Sequence, residues 1–502
     1  MKSNLNTLVI GVVLIPLILA GCGPIAPAII ENTDRPSNTS EATLASTAGP
    51  TQTVSEATAS ATPVVTLGNQ VDLERLFSPV WESRQYLREA FVEQPVEDSV
   101  LAQGALDGLV ASLEDQGIVL EGISVTADVP SAISLSQLAR TPQDAAPAFS
   151  AFWEAWRKVQ YGDAQIRGTY EELLYACLGA MVDALGDPHT SYMDPLQFEQ
   201  SNIQLGGEYE GIGAFVDTTT EYVTIIAPME GAPAQRAGLR AGDMIIAVDG
   251  TDMTGVSGDV VLTYIMGPAG TPVVLTIQRE GEPASFDVEI IRERISVPSV
   301  QSEMINGDIA YVQLLTFGDS TDNELRQALE DLLANDPKGL ILDLRNNGGG
   351  YLHTAVAVTS EFLATRDVIL YEEYGDGESD SFYALDGGLA TDIPLVVLVN
   401  GGTASASEIL AGAIQDYDRG VLVGETTYGK GSVQQPVALS NDQGALRITI
   451  AHWLTPYRRL IHGLGLIPEY VVALTDEDIE QGLDPQLDKA IELLNAQAFM
   501  VN

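Results

Sequence analysis

The chain has 502 residues, of which 45% are apolar, enough for two or three hydrophobic cores rather than one. Its 70 acidic and 24 basic residues give a formal net charge of −46 at pH 7. This charge argues against nucleic acid as a partner and against electrostatic docking on anionic lipid, and an acidic surface favours solubility. Composition alone indicates a globular α/β protein.

The N-terminus has the features of an export signal. Lys2 precedes an apolar run, Leu8 to Ala20, which is too short for a comfortable membrane span and suits a signal-peptide core. The run ends in Leu19-Ala20-Gly21-Cys22, which resembles a bacterial lipobox. That resemblance implies a signal peptide over 1–21, acylation of the Cys22 sulfur, and a lipoprotein held at a membrane outside the cytoplasm. The alternative is an ordinary secretory signal with an incidental cysteine.

Between the signal and the first helical pattern, residues 22–68 are rich in Thr, Ser, Ala and Pro, which predicts a flexible linker. Residues 69–205 read as a helical region, including an insertion at 117–147 to which the sequence assigns no role. Once Cys22 is acylated, Cys177 is the remaining cysteine, so no internal disulfide is expected. Its apolar helical context predicts a core position, and no Cys-Gly or Cys-His context supports a catalytic cysteine.

Two apolar runs predict strands that are buried on both faces of an α/β sheet. The first, Leu340 to Leu344, leads into Arg345-Asn346-Asn347-Gly348-Gly349-Gly350. Glycine lets backbone N–H groups approach a ligand closely, so this loop is a candidate oxyanion donor. A phosphate-binding loop is the alternative, but neither GxGxxG nor the Walker spacing is present.

The second run, Ile393 to Asn400, is followed by Gly401-Gly402-Thr403-Ala404-Ser405-Ala406-Ser407-Glu408 and then by an apolar helical pattern. Ser405 would therefore lie in a strand-to-helix turn that exposes its side chain and directs backbone N–H groups at a developing oxyanion. A further strand, Gly420 to Gly424, precedes a glycine-flanked loop that carries Lys430. Because a buried neutral lysine can activate a serine, the two loops suggest a nucleophile and its base. A capped turn beside an ordinary surface lysine is the alternative.

These segments resemble the C-terminal processing peptidases, or tail-specific proteases, of serine peptidase family S41. The resemblance rests on Asp343 to Gly350, Thr403 to Glu408 and Gly424 to Gln434, and extends from about Phe77 to the C-terminus. It departs from the family at Thr403, where a serine is usual, and at Gly348, where a proline is usual.

The resemblance implies roles for individual residues. Ser405 would be the nucleophile, Lys430 the base at the spacing that the family uses, and Gln434 the group that orients the lysine, with the adjacent Gln435 as an alternative. The oxyanion donors would be the backbone N–H groups of Gly349 and Ala406, with Gly348 as an alternative to Gly349.

Residues 206–292 read as short strands with turn signals and one short helix. Their motifs resemble a PDZ domain, in which Gly211, Ile212, Gly213 and Ala214 would form the loop that captures a peptide's terminal carboxylate. A β-rich spacer without a ligand is the alternative. The resemblance thus implies an α/β multidomain protein: a helical N-terminal region, a PDZ-like module and, over 293–502, an α/β peptidase core of crotonase-like or ClpP-like fold with a C-terminal helix.

The expected function is that of a serine endopeptidase, a hydrolase that cleaves proteins recognised by their C-terminal tails. Its expected partners are proteins with apolar tails, an adaptor protein and, through Cys22, a membrane. The alternatives are a catalytically silent PDZ lipoprotein that binds C-termini as a scaffold, and a hydrolase of small esters. No cofactor or metal is expected, since HExxH and paired Cys/His spacings are absent. The histidines, His189, His353, His452 and His462, are expected to be structural or on the surface.

Overall fold

The computed structural model describes residues 71–125 and 129–496. The signal peptide and the whole linker over 22–68, including Cys22, lie outside the described residues, so the predictions about them stay predictions. No helix in the described ranges is both long and apolar enough to cross a bilayer.

The N-terminal region is helical, as the sequence predicts, and one short strand, β1 (Ser191–Met193), leaves it to join a sheet of the core. Its helices are α1 (Leu73–Ala90), α2 (Asp98–Glu114), α3 (Ala132–Leu138), α4 (Ser150–Tyr161), α5 (Tyr170–Asp183) and α6 (Pro195–Gly206). Capping fixes where two of them begin: Thr169 and Glu172 form a capping box at α5, and Asp194 does the same with Gln197 at α6. The 117–147 insertion contains α3.

Aromatic packing holds the helical region together. The Phe77 ring of α1 lies 4.7 Å from Trp153 and 4.8 Å from Trp156, both of α4, measured between centroids. These rings are fully buried and belong to one hydrophobic core that extends into the catalytic part of the chain. Cys177 of α5 is buried in the same core, which confirms its predicted core position.

The next part of the chain is a β-rich module with a separate hydrophobic core. Its strands are β2 (Glu208–Gly211), β3 (Ala214–Asp217), β4 (Thr224–Pro228), β5 (Met244–Val248), β6 (Thr251–Asp252), β7 (Pro272–Gln278), β8 (Phe286–Ile291) and β9 (Glu293–Ser296), and its helices are α7 (Pro233–Arg236) and α8 (Gly258–Ile265). The main sheet has the order β3-β4-β5-β7-β8, so β3 is an edge strand. Strands β2 and β9 pair antiparallel, with Gly211 opposite Glu293, and bring the two ends of the module together.

The remaining chain builds two sheets and the helices that cover them. Its strands are β10 (Val300–Ile305), β11 (Ile309–Leu314), β12 (Leu340–Asp343), β13 (Val368–Tyr374), β14 (Ser379–Tyr383), β15 (Leu395–Val399), β16 (Val421–Gly424), β17 (Ser432–Ala438), β18 (Ala445–Leu454) and β19 (Tyr470–Val471). Its helices are α9 (Thr321–Leu333), α10 (Leu352–Ser360), α11 (Ala406–Asp416), α12 (Asp476–Gln481) and α13 (Pro485–Ala496).

The first sheet of this core has the order β10-β11-β12-β15-β16-β19, and all its neighbours except β10 and β11 are parallel. Strands β12 and β15 are buried along their whole length, as their continuous apolar sequences predict. Because β12, β15 and β16 are parallel neighbours, the loops after their carboxyl ends meet at one edge of the sheet. Those loops carry the glycine run, Ser405 and Lys430.

The second sheet has the order β1-β18-β13-β14, with β17 also paired to β18. Strand β17 begins at Ser432, two residues after Lys430, so the lysine loop leads straight into this sheet.

Candidate active site

Ser405 lies between β15 and α11, as the sequence predicts, and its backbone conformation is unusual. Its φ of 55° and ψ of −119° belong to a region that residues with a side chain rarely adopt, at a typical cost of about 1–3 kcal/mol. Ser405 is only 4% exposed, so the expectation that the turn exposes its side chain to solvent is not met in this conformation. A sharp strand-to-helix turn of this type presents a nucleophile and the N–H groups of the following residues to a substrate.

Lys430 is fully buried, which excludes the ordinary surface lysine considered above. Its loop is fixed on both sides, because the Trp453 indole donates to the Lys430 carbonyl over 3.0 Å and Gly431 packs on the backbone of His462. An added Cβ at Gly431 would lie 2.8 Å from the His462 nitrogen, so this close approach requires glycine. Burial disfavours the ammonium form of any lysine, and the neutral form is the one that accepts a proton.

Glu408 joins the serine turn to the lysine loop. One oxygen of its fully buried carboxylate, Oε2, accepts from the Ser405 N–H at 2.9 Å and from the Lys430 N–H at 2.8 Å. The other, Oε1, accepts from the Gly429 N–H at 2.7 Å and from the Thr427 hydroxyl. Burial raises the pKa of Glu408, while these four donors oppose that rise by favouring the charged carboxylate. The loops of the two candidate catalytic residues are thus bonded to one side chain.

The glycine loop after β12 packs directly on the serine turn. Gly349 has a φ of +102°, and an added Cβ there would lie 2.8 Å from both the Ala406 nitrogen and the Ser405 Cβ. The loop is tied to the same turn by Asn347, whose carbonyl accepts from the Ala404 N–H at 3.0 Å and from the Ser407 hydroxyl at 2.9 Å.

The Gly349 N–H is not directed at a substrate in this conformation. It donates to the Asn347 side-chain oxygen at 2.9 Å. Gly349 and Ala406 are therefore adjacent, as the oxyanion prediction requires, but donation from Gly349 needs its bond to Asn347 to break.

Gln434 is buried on β17, and its amide nitrogen donates to the Ser432 hydroxyl at 2.8 Å and the Thr449 hydroxyl at 3.2 Å. Its carbonyl oxygen has no hydrogen-bond partner within the described chain. The predicted orientation of Lys430 by Gln434 stays a prediction, because that oxygen makes no bond to the lysine here.

Three of the four histidines gather beside the lysine loop, a cluster that sequence reasoning missed. The His462 ring lies 5.4 Å from His452 and 6.0 Å from His189. Burial lowers the pKa of His189 to about 4. His189 is therefore uncharged at neutral pH. The described residues contain no group of histidine, cysteine or acidic side chains arranged to hold a metal.

Glu408 and the histidine cluster were not predicted to belong to the site, and only Glu408 has a local sequence pattern that could have revealed it. The spacing of Ser405 and Glu408 matches the capping-box pattern, in which a glutamate three residues on bonds back to the cap, and this signal could have identified Glu408. The histidines come from segments far apart in the chain, and no local pattern connects them.

The candidate peptide-binding residues Gly211 to Ala214 run from the end of β2, through the connecting residues Ile212 and Gly213, to the start of β3. Gly213 has a φ of +73°, and an added Cβ there would meet the Cβ of Ala232 at 2.4 Å. The Ile212 carbonyl accepts from the Ala234 N–H at 2.8 Å, which fixes the loop on α7. The loop therefore has a defined shape at the open edge of β3.

Comparisons with known proteins agree with this architecture. The family model for "Peptidase family S41" matches residues 308–472, and that for "PDZ domain" matches residues 224–279. A carboxy-terminal-processing protease of Bartonella bacilliformis is 36% identical over 64% of this chain and 74% of its own length. The carboxy-terminal processing protease CtpA of Bacillus subtilis is 34% identical over 70% of this chain and 77% of its own.

A solved structure, the photosystem II D1 C-terminal processing protease, overlaps 80% of this chain and 94% of its own with 26% identity and a TM-score of 0.44. The identity and coverage of the Bacillus subtilis relative, together with the two family models, decide the assignment. The chain belongs to peptidase family S41, and it is a serine-type peptidase of the carboxy-terminal processing kind with a PDZ domain.

Proposed function

We propose that Ser405 is the nucleophile and Lys430 the base of this peptidase. The observation that carries the proposal is the Glu408 carboxylate, whose Oε2 accepts from the backbone N–H groups of both residues and so fixes their loops side by side. A serine hydroxyl needs an adjacent base, and a buried lysine supplies one when it is neutral. Two observations support the proposal: the complete burial of Lys430 favours its neutral form, and the unusual φ of Ser405 is of a kind that clusters at functional sites.

In the proposed reaction, neutral Lys430 takes the proton of Ser405 as Oγ attacks the scissile carbonyl carbon. The resulting tetrahedral oxyanion accepts from the Ala406 N–H at the start of α11, and from the Gly349 N–H once that group has left Asn347. Lys430 then gives the proton to the leaving amine as the C–N bond breaks, and an ester to Ser405 remains. Water attacks this ester with Lys430 again as base, and Gln434 orients the lysine once its carbonyl oxygen reaches the lysine amine.

We further propose that the module over 206–292 selects substrates by their C-terminal tails. The open edge of β3 and the shaped loop Gly211 to Ala214 suit a peptide that adds a strand and places its terminal carboxylate on the loop N–H groups. Apolar tails are the expected class. An adaptor protein that delivers them is a further candidate partner.

The site of action follows from the N-terminal motif. We propose that the enzyme works in a bacterial cell envelope, attached by a lipid on Cys22, with residues 22–68 as a linker that gives it reach. The extended apolar run before Cys22 and the curated bacterial relatives support this proposal.

Cleavage of one unstructured polypeptide with an apolar tail, prepared with a free terminal carboxylate and with a terminal amide, tests tail selection. The full chain is expected to cleave the free-carboxylate form at least about 10-fold faster, since the amide lacks the charge that the loop binds. Ser405→Ala should cleave neither form. Equal rates on the two forms would overturn tail selection while leaving the peptidase intact.

A further inference from the structure

Arg345 lies just after β12, where the glycine loop begins, and two carboxylates hold its guanidinium. On the side of the strand, Nε donates to Asp343 Oδ1 at 3.0 Å and Nη2 donates to Asp343 Oδ2 at 2.6 Å. On the other side is Asp484, the residue before α13, which accepts from Nη1 at 2.9 Å and lies 2.9 Å from Nη2. Gln486 of α13 also accepts from Nη1, at 3.1 Å. The guanidinium therefore joins the strand to the start of the C-terminal helix.

This network lies in the interior of the protein. Asp343 and Gln486 are fully buried, and the Arg345 side chain is 12% exposed. The Tyr311 hydroxyl of β11 donates to Asp343 at 2.8 Å. The Gln486 amide nitrogen donates to the Val472 carbonyl at 2.8 Å. Because a two-pronged contact between arginine and a carboxylate fixes direction as well as distance, the network holds Arg345 in one place.

The loop that starts at the next residue carries a candidate oxyanion donor. The Asn346 N–H donates to the Asn400 side-chain oxygen at 2.9 Å, and the Asn400 amide donates back to the Asn346 side chain. Gly349 follows three residues later and packs on the serine turn with no room for a Cβ. Because so few residues separate them, a shift of Arg345 moves the Gly349 N–H relative to Ser405.

We propose that Arg345 is a positioning residue for catalysis, held in place by Asp484 and Gln486 at the start of α13. Its guanidinium sets the place of the glycine loop, and the loop presents the oxyanion donor. Arg345 thus acts through the loop and not on the substrate. The inference rests on the proposed roles of Ser405 and Gly349, and it gives the C-terminal helix a part in the rate of the reaction.

Asp484→Asn separates this role from the helix cap that Asp484 also forms. Asp484 Oδ1 accepts from the Leu487 N–H at 2.9 Å, and asparagine caps a helix about as well as aspartate. The substitution therefore keeps the helix start and the side-chain size but removes the charge that holds Arg345. A displaced glycine loop should slow the chemical step, so we expect kcat to fall roughly 10- to 100-fold with KM within about twofold of the parent.

A peptide aldehyde, used as a transition-state analogue, distinguishes positioning from folding. Ser405 Oγ would bond to the aldehyde carbon, the C=O double bond would become a single bond, and the serine proton would pass to Lys430. The aldehyde oxygen would then occupy the oxyanion site as an anion. With the full chain, Asp484→Asn is expected to raise the Ki of the aldehyde by the same factor as it lowers kcat/KM. A protein that had only lost part of its folded fraction would lose kcat and keep the Ki of the parent.

Asp488→Asn is the matched control, since Asp488 is an exposed carboxylate in the first turn of the same helix. It should match the parent in kcat and Ki. Arg345→Lys is the second variant, because lysine keeps the charge but has one nitrogen and cannot form the same fork to Asp343 and Asp484. It is expected to show the same coupled change in kcat/KM and Ki.

Parent-like kcat and Ki in both Asp484→Asn and Arg345→Lys would overturn the positioning role, and so would a fall in kcat with an unchanged Ki. Equal affinity of the aldehyde for the parent and for Ser405→Ala would contradict the proposed nucleophile instead. These two failures are distinguishable, because the second is measured in proteins whose Arg345 and α13 are intact.

Discussion

The buried carboxylate of Glu408 bonds the serine turn to the lysine loop, so a change of this one side chain should disturb both. Glu408→Gln keeps the shape but replaces one acceptor oxygen with an NH2 group, which leaves two of the four buried donors without an acceptor. We expect kcat/KM to fall at least about 100-fold and the free energy of unfolding to fall by about 2–5 kcal/mol. Steady-state kinetics and urea unfolding measure these changes.

Glu303→Gln, at an exposed position of β10, is the matched control and should behave as the parent. Parent-like kinetics in Glu408→Gln would show that the carboxylate does not position the two loops.

The second test at the scale of single residues adds a side chain at Gly349. A methyl group there would lie 2.8 Å from the Ala406 nitrogen and the Ser405 Cβ, so Gly349→Ala should displace the nucleophile and lower kcat/KM at least about 100-fold. Gly377→Ala is the control, since Gly377 also has a positive φ, +87°, but has open space around it. That variant should lose about 1 kcal/mol of stability and keep its activity. Equal activity of the two variants would contradict the proposed site.

At the scale of elements, close contact between α2 and α5 depends on two glycines. An added Cβ at Gly104 or Gly108 would lie 2.4 Å from a carbonyl oxygen of α5. Alanine at either position should therefore destabilise the protein by about 1–3 kcal/mol, although alanine favours helices. Gly179→Ala, in α5 with open space around it, should instead stabilise by up to about 1 kcal/mol. Urea unfolding gives the sign, and the same sign for all three variants would contradict this packing.

Strand β13 carries a buried acid that should make stability depend on pH. Burial raises the pKa of Glu372 from 4.5 to about 7, and its Oε1 has no hydrogen-bond partner in the described part of the chain. The folded protein therefore binds an extra proton between these two values, and its free energy of unfolding should fall by about 3 kcal/mol as pH rises from 4.5 to 7, then level off. Glu372→Gln should lose this contribution, which unfolding curves between pH 4.5 and 8 would detect. An identical pH dependence in parent and variant would contradict it.

The sequence predicted the elements at the site better than the contacts between them. The apolar runs at 340–344 and 393–400 correspond to β12 and β15, and Ser405 lies in the turn that the small residues after β15 predict. The roles of Ser405 and Lys430 came from family resemblance. The capping-box spacing could have pointed to the bond between Glu408 and Ser405. The bonds of Glu408 to the lysine loop could not be predicted, because that loop follows by about twenty residues and its approach depends on the parallel order of β15 and β16.

At the scale of the whole molecule, the pairing of β2 with β9 offers a way to remove the PDZ-like module. Gly211 and Glu293 stand opposite each other, so residues 212–292 can be replaced by Asn-Gly, the turn that closes a two-residue hairpin. If the module selects tails, this variant should cleave free-carboxylate and amide polypeptides at the same rate. A retained preference for the free carboxylate would place tail selection elsewhere in the chain.

The most direct test of the account is the cleavage rate of an unstructured protein with an apolar free C-terminus by the full chain and by Ser405→Ala and Lys430→Met. Ser440→Ala and Lys489→Met, which change the same residue types away from the site, are the controls. We predict that the first two variants lose at least about 1,000-fold in rate while the controls match the parent. Near-parent cleavage by either Ser405→Ala or Lys430→Met would contradict the assignment of nucleophile and base.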